Sequence, residues 1–168
     1  MNIAIVLCAG FATRMYPLTK AFPKSLLKVA GRPVLDYLMH QLLKLPDLEA
    51  IYLVSNEKYY PHFAEWKRLW EDRYESSCPT LVLLNDKAVD NDHRLGASGD
   101  FQFVMKTIPD PIRVLVTAGD NIYRFDIKPL WERFLLSDRH YIVALPEKDK
   151  KKLSKSGVLE LATDVRVR

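Results

Sequence analysis

An α/β domain built on a mostly parallel sheet is the fold class that the sequence predicts. Two observations support it: short runs of apolar residues recur along the chain, and stretches with helical spacing of apolar residues lie between them. Runs that are apolar at every position are typical of strands buried on both faces, as in parallel sheets covered by helices. The alternation therefore favours one sheet between layers of helices, joined by right-handed crossovers.

Five apolar runs are predicted to be strands. The first is flanked directly by Gly10, and the full set is Ile3–Ala9, Ala50–Val54, Leu81–Leu84, Arg113–Thr117 and Tyr141–Leu145. Two helices follow from side chains spaced three or four residues apart, namely Leu35, Leu38, Leu42 and Leu45, then Tyr59, Phe63, Trp66, Trp70 and Tyr74. The aromatic stripe of the second helix is expected to lie in the core or at an oligomer contact. We expect a third helix to be capped by Ser98, with Phe101 and Val104 on its buried face.

Composition narrows the function classes. The 168 residues are 48% hydrophobic and 27% charged, which indicates one globular domain spanning 1–168. Cys8 and Cys78 lie far apart, so neither a disulfide framework nor a zinc site is expected. The net charge of +4 is scattered among acids, which disfavours nucleic-acid binding. The first apolar run lacks signal-peptide features and is far shorter than the ~20 residues of a membrane helix, so we expect a cytoplasmic protein without membrane attachment.

Ligands of open α/β sheets bind beyond the carboxyl ends of the strands. The segments to consider are therefore 10–24, 85–100 and 118–121. In the first, the small residues Ala9, Gly10 and Ala12 let backbone N–H groups approach phosphate oxygens, and Arg14 and Lys24 add positive charge. Dinucleotide-binding and Walker glycine patterns are both absent from the sequence.

Either basic residue alone would fit an ordinary strand–helix connection. Together with the prolines and small residues around them, they predict a phosphate-gripping loop over Leu7–Pro33 that holds a nucleoside triphosphate.

The same stretch resembles the sugar-1-phosphate nucleotidyltransferases, of the glucose-1-phosphate thymidylyltransferase type, whose signature reads roughly G-G-x-G-T-R-x-x-P-L-T-x-x-x-P-K-x-L-L-x-V-x-G-K-P. The matching residues are Gly10, Thr13, Arg14, Pro17, Leu18, Thr19, Pro23, Lys24, Leu26, Leu27, Val29, Gly31 and Pro33. Ala9 and Ala12 replace glycines and Arg32 replaces a lysine; the alanines fit if φ stays negative there. The resemblance implies a three-layer α/β/α sandwich with a Rossmann-like sheet.

The resemblance also implies roles for individual residues in an Mg²⁺-dependent transfer from a nucleoside triphosphate to a sugar 1-phosphate. Arg14 would hold the β- and γ-phosphates and the departing pyrophosphate, while Lys24 would neutralise the α-phosphate and the incoming sugar phosphate. Backbone amides around Ala9, Gly10 and Thr13 would cradle the triphosphate. Positioning and charge neutralisation suffice for such a reaction, so no nucleophilic side chain is expected.

Two further motifs match the family. Asp120, in Gly119-Asp120-Asn121, would bind Mg²⁺, although a Gly-Asp turn would explain the tripeptide alone. Asn85 and Gly96 occupy the positions that contact the nucleotide base in the family, although relatives more often carry glutamine at the position of Asn85. A polar surface loop explains Asn85 and Asp86 equally well.

Family members usually continue into F-x-E-K-P and a second metal-binding aspartate. The sequence ends at Arg168, so we expect a single domain cut before the sugar-binding elements. Two alternatives follow: a cytidylyltransferase acting on phosphocholine or a similar phosphate, and a non-catalytic nucleotide-binding module. The base, the acceptor and a homo-oligomeric state are left open.

Overall fold

A computed structural model describes residues 1–74, 79–108, 111, 113–144 and 146–154. In chain order the strands are β1 (Asn2–Leu7), β2 (Lys28–Val29), β3 (Arg32–Pro33), β4 (Ala50–Ser55), β5 (Thr80–Asn85) and β6 (Arg113–Ala118). The α-helices are α1 (Val34–Leu42), α2 (Tyr60–Arg73), α3 (Gly96–Thr107), α4 (Lys128–Leu135) and α5 (Lys150–Leu153).

The main sheet has the order β5-β4-β1-β6, and all three strand pairings in it are parallel. The predicted parallel sheet is therefore confirmed, with four of its predicted strands. Leu7, at the end of β1, pairs in register with Val54 of β4 and with Ala118 of β6. Because the chain leaves β1 toward β4 on one side and returns as β6 on the other, a crevice opens beyond the ends of β1 and β6.

Helices cover both faces of the sheet. Ala4 and Val6 face a cluster that includes Leu38, Phe63 and Trp131, whereas Ile3 and Ile5 face a second cluster that includes Val104. Successive β1 side chains thus enter opposite layers, as strand geometry requires, and the three-layer α/β/α arrangement is confirmed. Each of the large side chains that is fully buried contributes roughly 1.5–3 kcal/mol relative to exposure.

The aromatic stripe of α2 lies in the first of these clusters. Tyr59, Phe63, Trp66 and Trp70 are buried, and Tyr74 packs against them. The prediction that the stripe is a core element is confirmed.

Two local predictions are wrong. Residues 141–144 form no strand; they are exposed and are separated from β6 by an apolar groove, and Leu145 lies outside the described residues. A strand requires a hydrogen-bonded neighbour, and this segment makes no ladder with β6 in the described part of the chain. Ser98 does not cap α3, because the helix begins two residues earlier, at Gly96, and no side chain caps it.

Cys8 is a buried free thiol, and burial raises its pKa to about 12. It is therefore a small core residue and not a nucleophile; Cys78 lies outside the described residues. The described helices include none that is long and apolar enough to cross a bilayer.

Candidate functional site

A cleft of about 780 Å³ opens beyond the carboxyl ends of β1 and β6. This volume lies in the range typical of small-molecule sites. Seven of the eight predicted site residues line it: Ala9, Gly10, Thr13, Arg14, Lys24, Gly96 and Asp120.

A buried asparagine holds the loop after β1 in place. The Asn56 side chain is fully buried; its Nδ2 donates to the Ala9 carbonyl at 2.8 Å and its Oδ1 accepts the Tyr59 N–H at 2.9 Å. The Tyr59 hydroxyl in turn donates to the Thr19 carbonyl at 2.6 Å. The first turn of α2 and the loop are thus one hydrogen-bonded unit, so the backbone that faces the cleft is fixed before a ligand arrives.

Ala12 adopts the left-handed conformation, with φ of 47°. The condition under which an alanine fits in place of a family glycine, a negative φ, is therefore met at Ala9 and not at Ala12. The hydroxyl of Thr19 donates to the Ala12 carbonyl at 2.8 Å, which holds the turn. A side chain in this conformation costs roughly 1–2 kcal/mol, because Cβ approaches the following carbonyl. Ala12 therefore has the backbone conformation expected of the family glycine, although it carries a side chain.

Two of the predicted cations, Arg14 and Lys24, and the predicted carboxylate of Asp120 line the cleft. Lys24 follows Pro23 at the start of a short 3-10 helix, Lys24–Leu26, and its Nζ lies 2.8 Å from Oδ2 of Asp120. Arg14 is exposed and makes no ion pair within the described residues. Its guanidinium is therefore available to an anion, whereas Lys24 has a partner already.

Asp120 follows a glycine at a position where a side chain would collide with its neighbours. The Gly119 N–H donates to the Leu7 carbonyl at 3.0 Å, and a Cβ at Gly119 would lie 2.2 Å from Sγ of Cys8 and 3.1 Å from Cγ1 of Val6. Because β6 can approach β1 this closely only without a side chain at 119, the glycine directs the next carboxylate into the cleft.

Asn85 does not reach the cleft in this structure. Its Nδ2 donates to Oε2 of Glu57 at 2.9 Å and its Oδ1 accepts the Lys87 N–H at 2.9 Å, so both ends of the amide are engaged and Asn85 is not among the residues that line the cleft. The sequence argument instead missed Arg94 and Asp100, which do line the cleft. Arg94 could have been found as a cation next to the Gly96 motif, whereas Asp100 resembles an ordinary surface acid of a helix.

The chain matches the profile of one protein family over nearly its whole length. The match, to the family described as "Nucleotidyl transferase", covers residues 3–168. The chain belongs to the nucleotidyl transferase family. A relative within it, from Sulfolobus acidocaldarius and provisionally named mannose-1-phosphate guanyltransferase, is 29% identical over 177 residues, covering 92% of this chain and 46% of its own length.

Solved structures share the fold of this nucleotidyl transferase chain. A Bacillus anthracis protein provisionally named glucose-1-phosphate thymidylyltransferase, solved in complex with sucrose, superposes with a TM-score of 0.69 at 20% identity, over 82% of this chain and 52% of its own. A UTP-bound UGPase from Acinetobacter baumannii superposes with a TM-score of 0.58 at 18% identity, over 82% and 53%. The chain spans about half the length of the proteins that it matches in this way.

Proposed function

We propose that this chain transfers a nucleotidyl group from a nucleoside triphosphate to a sugar 1-phosphate, giving a nucleotide-sugar and pyrophosphate. The observation that carries the proposal is the convergence of Arg14, Lys24 and Asp120 on a cleft that Ala9 and Gly10 also line. The names of the Sulfolobus relative and of the UTP-bound structure support a sugar phosphate and a triphosphate as the two substrates. A cytoplasmic location and a homo-oligomeric state remain predictions.

The proposed reaction needs no protein nucleophile. An anionic oxygen of the sugar phosphate attacks the α-phosphorus, the new P–O bond forms, and the bond from the α-phosphorus to the bridging oxygen breaks, with pyrophosphate taking the electron pair. Arg14 would hold the β- and γ-oxygens with its planar guanidinium, and Lys24 would follow the charge that develops around the α-phosphorus. Backbone N–H groups near Gly10 and Thr13 would cradle the phosphates.

Mg²⁺ fits the donor set of the cleft. Magnesium in nucleotide sites is usually held by one or two carboxylates, with phosphate oxygens and waters completing its shell. Asp120 supplies one partly exposed carboxylate, and the described residues contain no cluster of three or more ligating side chains that would favour another metal. When bound, the ion would neutralise charge on the phosphates; Asp120 is the residue of this chain that would hold it.

The Lys24–Asp120 ion pair has to be exchanged when substrates bind. Both side chains are more than a third exposed, so the pair is worth no more than about 1 kcal/mol. Lys24 can therefore leave Asp120 for the α-phosphate at little cost, and Asp120 becomes free for the metal. In the nucleotide-free protein, each group keeps the other oriented toward the cleft.

The test is to incubate the protein with Mg²⁺, each common nucleoside triphosphate, and a panel of sugar 1-phosphates with phosphocholine as a further acceptor, and to measure pyrophosphate release. Release with a sugar 1-phosphate is the expected result. Release with phosphocholine alone would move the proposal to the cytidylyltransferase alternative. Triphosphate binding by calorimetry without release in any combination would refute the transferase activity and leave a binding module.

A further inference from the structure

Two aspartates meet at one end of the cleft, and one of them, Asp100, is part of its lining. Asp86 directly follows β5, and Asp100 lies in the second turn of α3 with 5% of its surface exposed. The two carboxyl groups lie within hydrogen-bonding reach of each other. One oxygen of each, Oδ2 of Asp86 and Oδ1 of Asp100, is buried and accepts no hydrogen bond from the described residues.

Such an arrangement is stable only if the two groups carry one negative charge between them. Two ionised carboxylates in a buried place would repel each other and leave both oxygens without a donor. A carboxyl group that keeps its proton can donate to its neighbour, which satisfies both atoms in one hydrogen bond.

The charged groups around the pair do not neutralise it. The other oxygen of Asp86 accepts the Ala88 N–H at 2.8 Å, and the Asp86 N–H donates to the Ser55 carbonyl of β4. The charged and titratable side chains of the neighbouring segments have other partners: Lys87 with Glu57, His93 with Asp90 and Arg94 with Asn91. On the opposite side of the cleft, Lys24 is paired with Asp120, and Arg14 extends into solvent.

We propose that Asp86 and Asp100 share one proton, and that this hydrogen bond ties together the two ends of segment 87–99, which forms one wall of the cleft. Asn91, Arg94, Gly96 and Ala97 all line the cleft, and all lie between the two aspartates in the chain. The tie therefore fixes both ends of the segment. The consequence for nucleotide affinity rests on the proposed function; the shared proton itself does not.

The tie makes the wall sensitive to pH. Burial, and then the neighbouring Asp86, raise the pKa of Asp100 to about 7, and burial also raises the pKa of Asp86. Above this pH the shared proton is lost, the carboxylates repel, and Asp86 at the end of β5 separates from Asp100 of α3, so that the two ends of the wall are no longer held together. If a triphosphate binds only the tied form, its Kd rises by up to tenfold per pH unit above about 7.

The decisive comparison is between the wild type and Asp100→Asn. An asparagine amide donates to the Asp86 carboxylate at every pH, so the tie persists. Calorimetry from pH 5.5 to 9 with Mg²⁺ and ATP, CTP, GTP, UTP or dTTP, whichever binds most tightly, gives both Kd values. Titration of the triphosphate itself cancels in their ratio. We expect the ratio of wild-type to variant Kd to rise about fivefold between pH 7 and 8 and about tenfold between pH 8 and 9, and equal profiles would overturn the proposal.

Asp92→Asn provides a matched control, because Asp92 is an exposed acid of the same segment. It should keep the wild-type pH profile. A profile as flat as that of Asp100→Asn would show that net charge, and not the shared proton, sets the pH dependence, and would reject the tie.

A measurement without nucleotide separates failure of this inference from failure of the proposed function. Carbon-13 NMR of the aspartate carboxyl carbons should show one group titrating near 7 in the wild type, and this titration should move to lower pH in Asp86→Asn, where the neighbouring charge is replaced by a hydrogen-bond donor. Because the folded state then holds a proton that the unfolded state releases near pH 4, the thermal midpoint of the wild type should fall relative to that of Asp100→Asn between pH 4 and 7. If all aspartates titrate near 4, the shared proton does not exist, whatever binds in the cleft.

Discussion

Gly119→Ala is expected to destabilise the protein by about 3 kcal/mol, the upper end of what overpacking a core costs. The new Cβ would lie 2.2 Å from Sγ of Cys8, well inside contact distance, and 3.1 Å from Cγ1 of Val6. Neither neighbour can yield easily, because Cys8 and Val6 are buried at 6% and 0% exposure. The strain would fall on the β1–β6 pairing, which also directs Asp120 toward the cleft.

The assay is equilibrium urea unfolding followed by the fluorescence of the buried tryptophans. Cys8→Ala alone should cost about 1 kcal/mol through lost packing. In the double variant Cys8→Ala/Gly119→Ala the closest contact no longer exists, so the total cost should be about 2 kcal/mol smaller than the sum of the single changes. Because the new Cβ would still lie close to Val6, the double variant should not regain the full free energy of unfolding.

Gly10→Ala is the matched control, because nothing lies within 4 Å of a Cβ built at Gly10. It should change the free energy of unfolding by no more than about 0.5 kcal/mol. If Gly119→Ala proves as stable as this control, or if the two changes at 8 and 119 are additive, the close approach of β6 to Cys8 is wrong.

Three further predictions concern the loop and its cations. Arg14→Ala should weaken triphosphate binding roughly tenfold to a hundredfold, because charge-assisted hydrogen bonds to the phosphates are lost. Arg124→Ala removes an exposed arginine outside the cleft and should leave the affinity unchanged. Equal affinities of the two variants by calorimetry would reject the role of Arg14. Lys24→Met should lower the rate of pyrophosphate release by about a hundredfold or more while changing triphosphate affinity less than about fivefold, and a loss confined to affinity would contradict a transition-state role. Ala12→Gly should raise stability by up to about 1 kcal/mol, because it relieves the positive φ, whereas Ala9→Gly should lower it. A thermal shift of the same sign in both variants would show that φ is not the cause.

The sheet could be predicted from the sequence where burial alone dictates the pattern. The four strands of the main sheet match apolar runs, and the match is best for the two central strands, β1 and β4, which are buried along most of their length. The run at 141–145 has the same composition and forms no strand over 141–144. Composition reports burial and β-propensity, but pairing depends on a partner elsewhere in the chain.

The site was predictable where function constrains the backbone and its immediate charges. Gly10, Arg14, Lys24 and Asp120 follow strand ends, and the topology brings those ends together. Asn85 and Asp100 show what could not be predicted from the sequence. Both flank the same wall of the cleft, but the partner of each side chain depends on packing: Asn85 contacts Glu57, and Asp100 contacts Asp86. No local pattern distinguishes an acid that faces solvent from one that is buried against another acid.

The contact between Lys24 and Asp120 joins residues 96 positions apart in the chain. It requires β6 to lie beside β1, so the cleft is complete only when the main sheet is complete. A partly folded chain that lacks β6 would possess the phosphate loop and have no opposite wall. A ligand that bridges both walls would therefore bind, and stabilise, only molecules whose sheet is complete. The degree of protection that a ligand gives against heat or proteolysis would then measure the fraction of molecules that is correctly folded, without a catalytic assay.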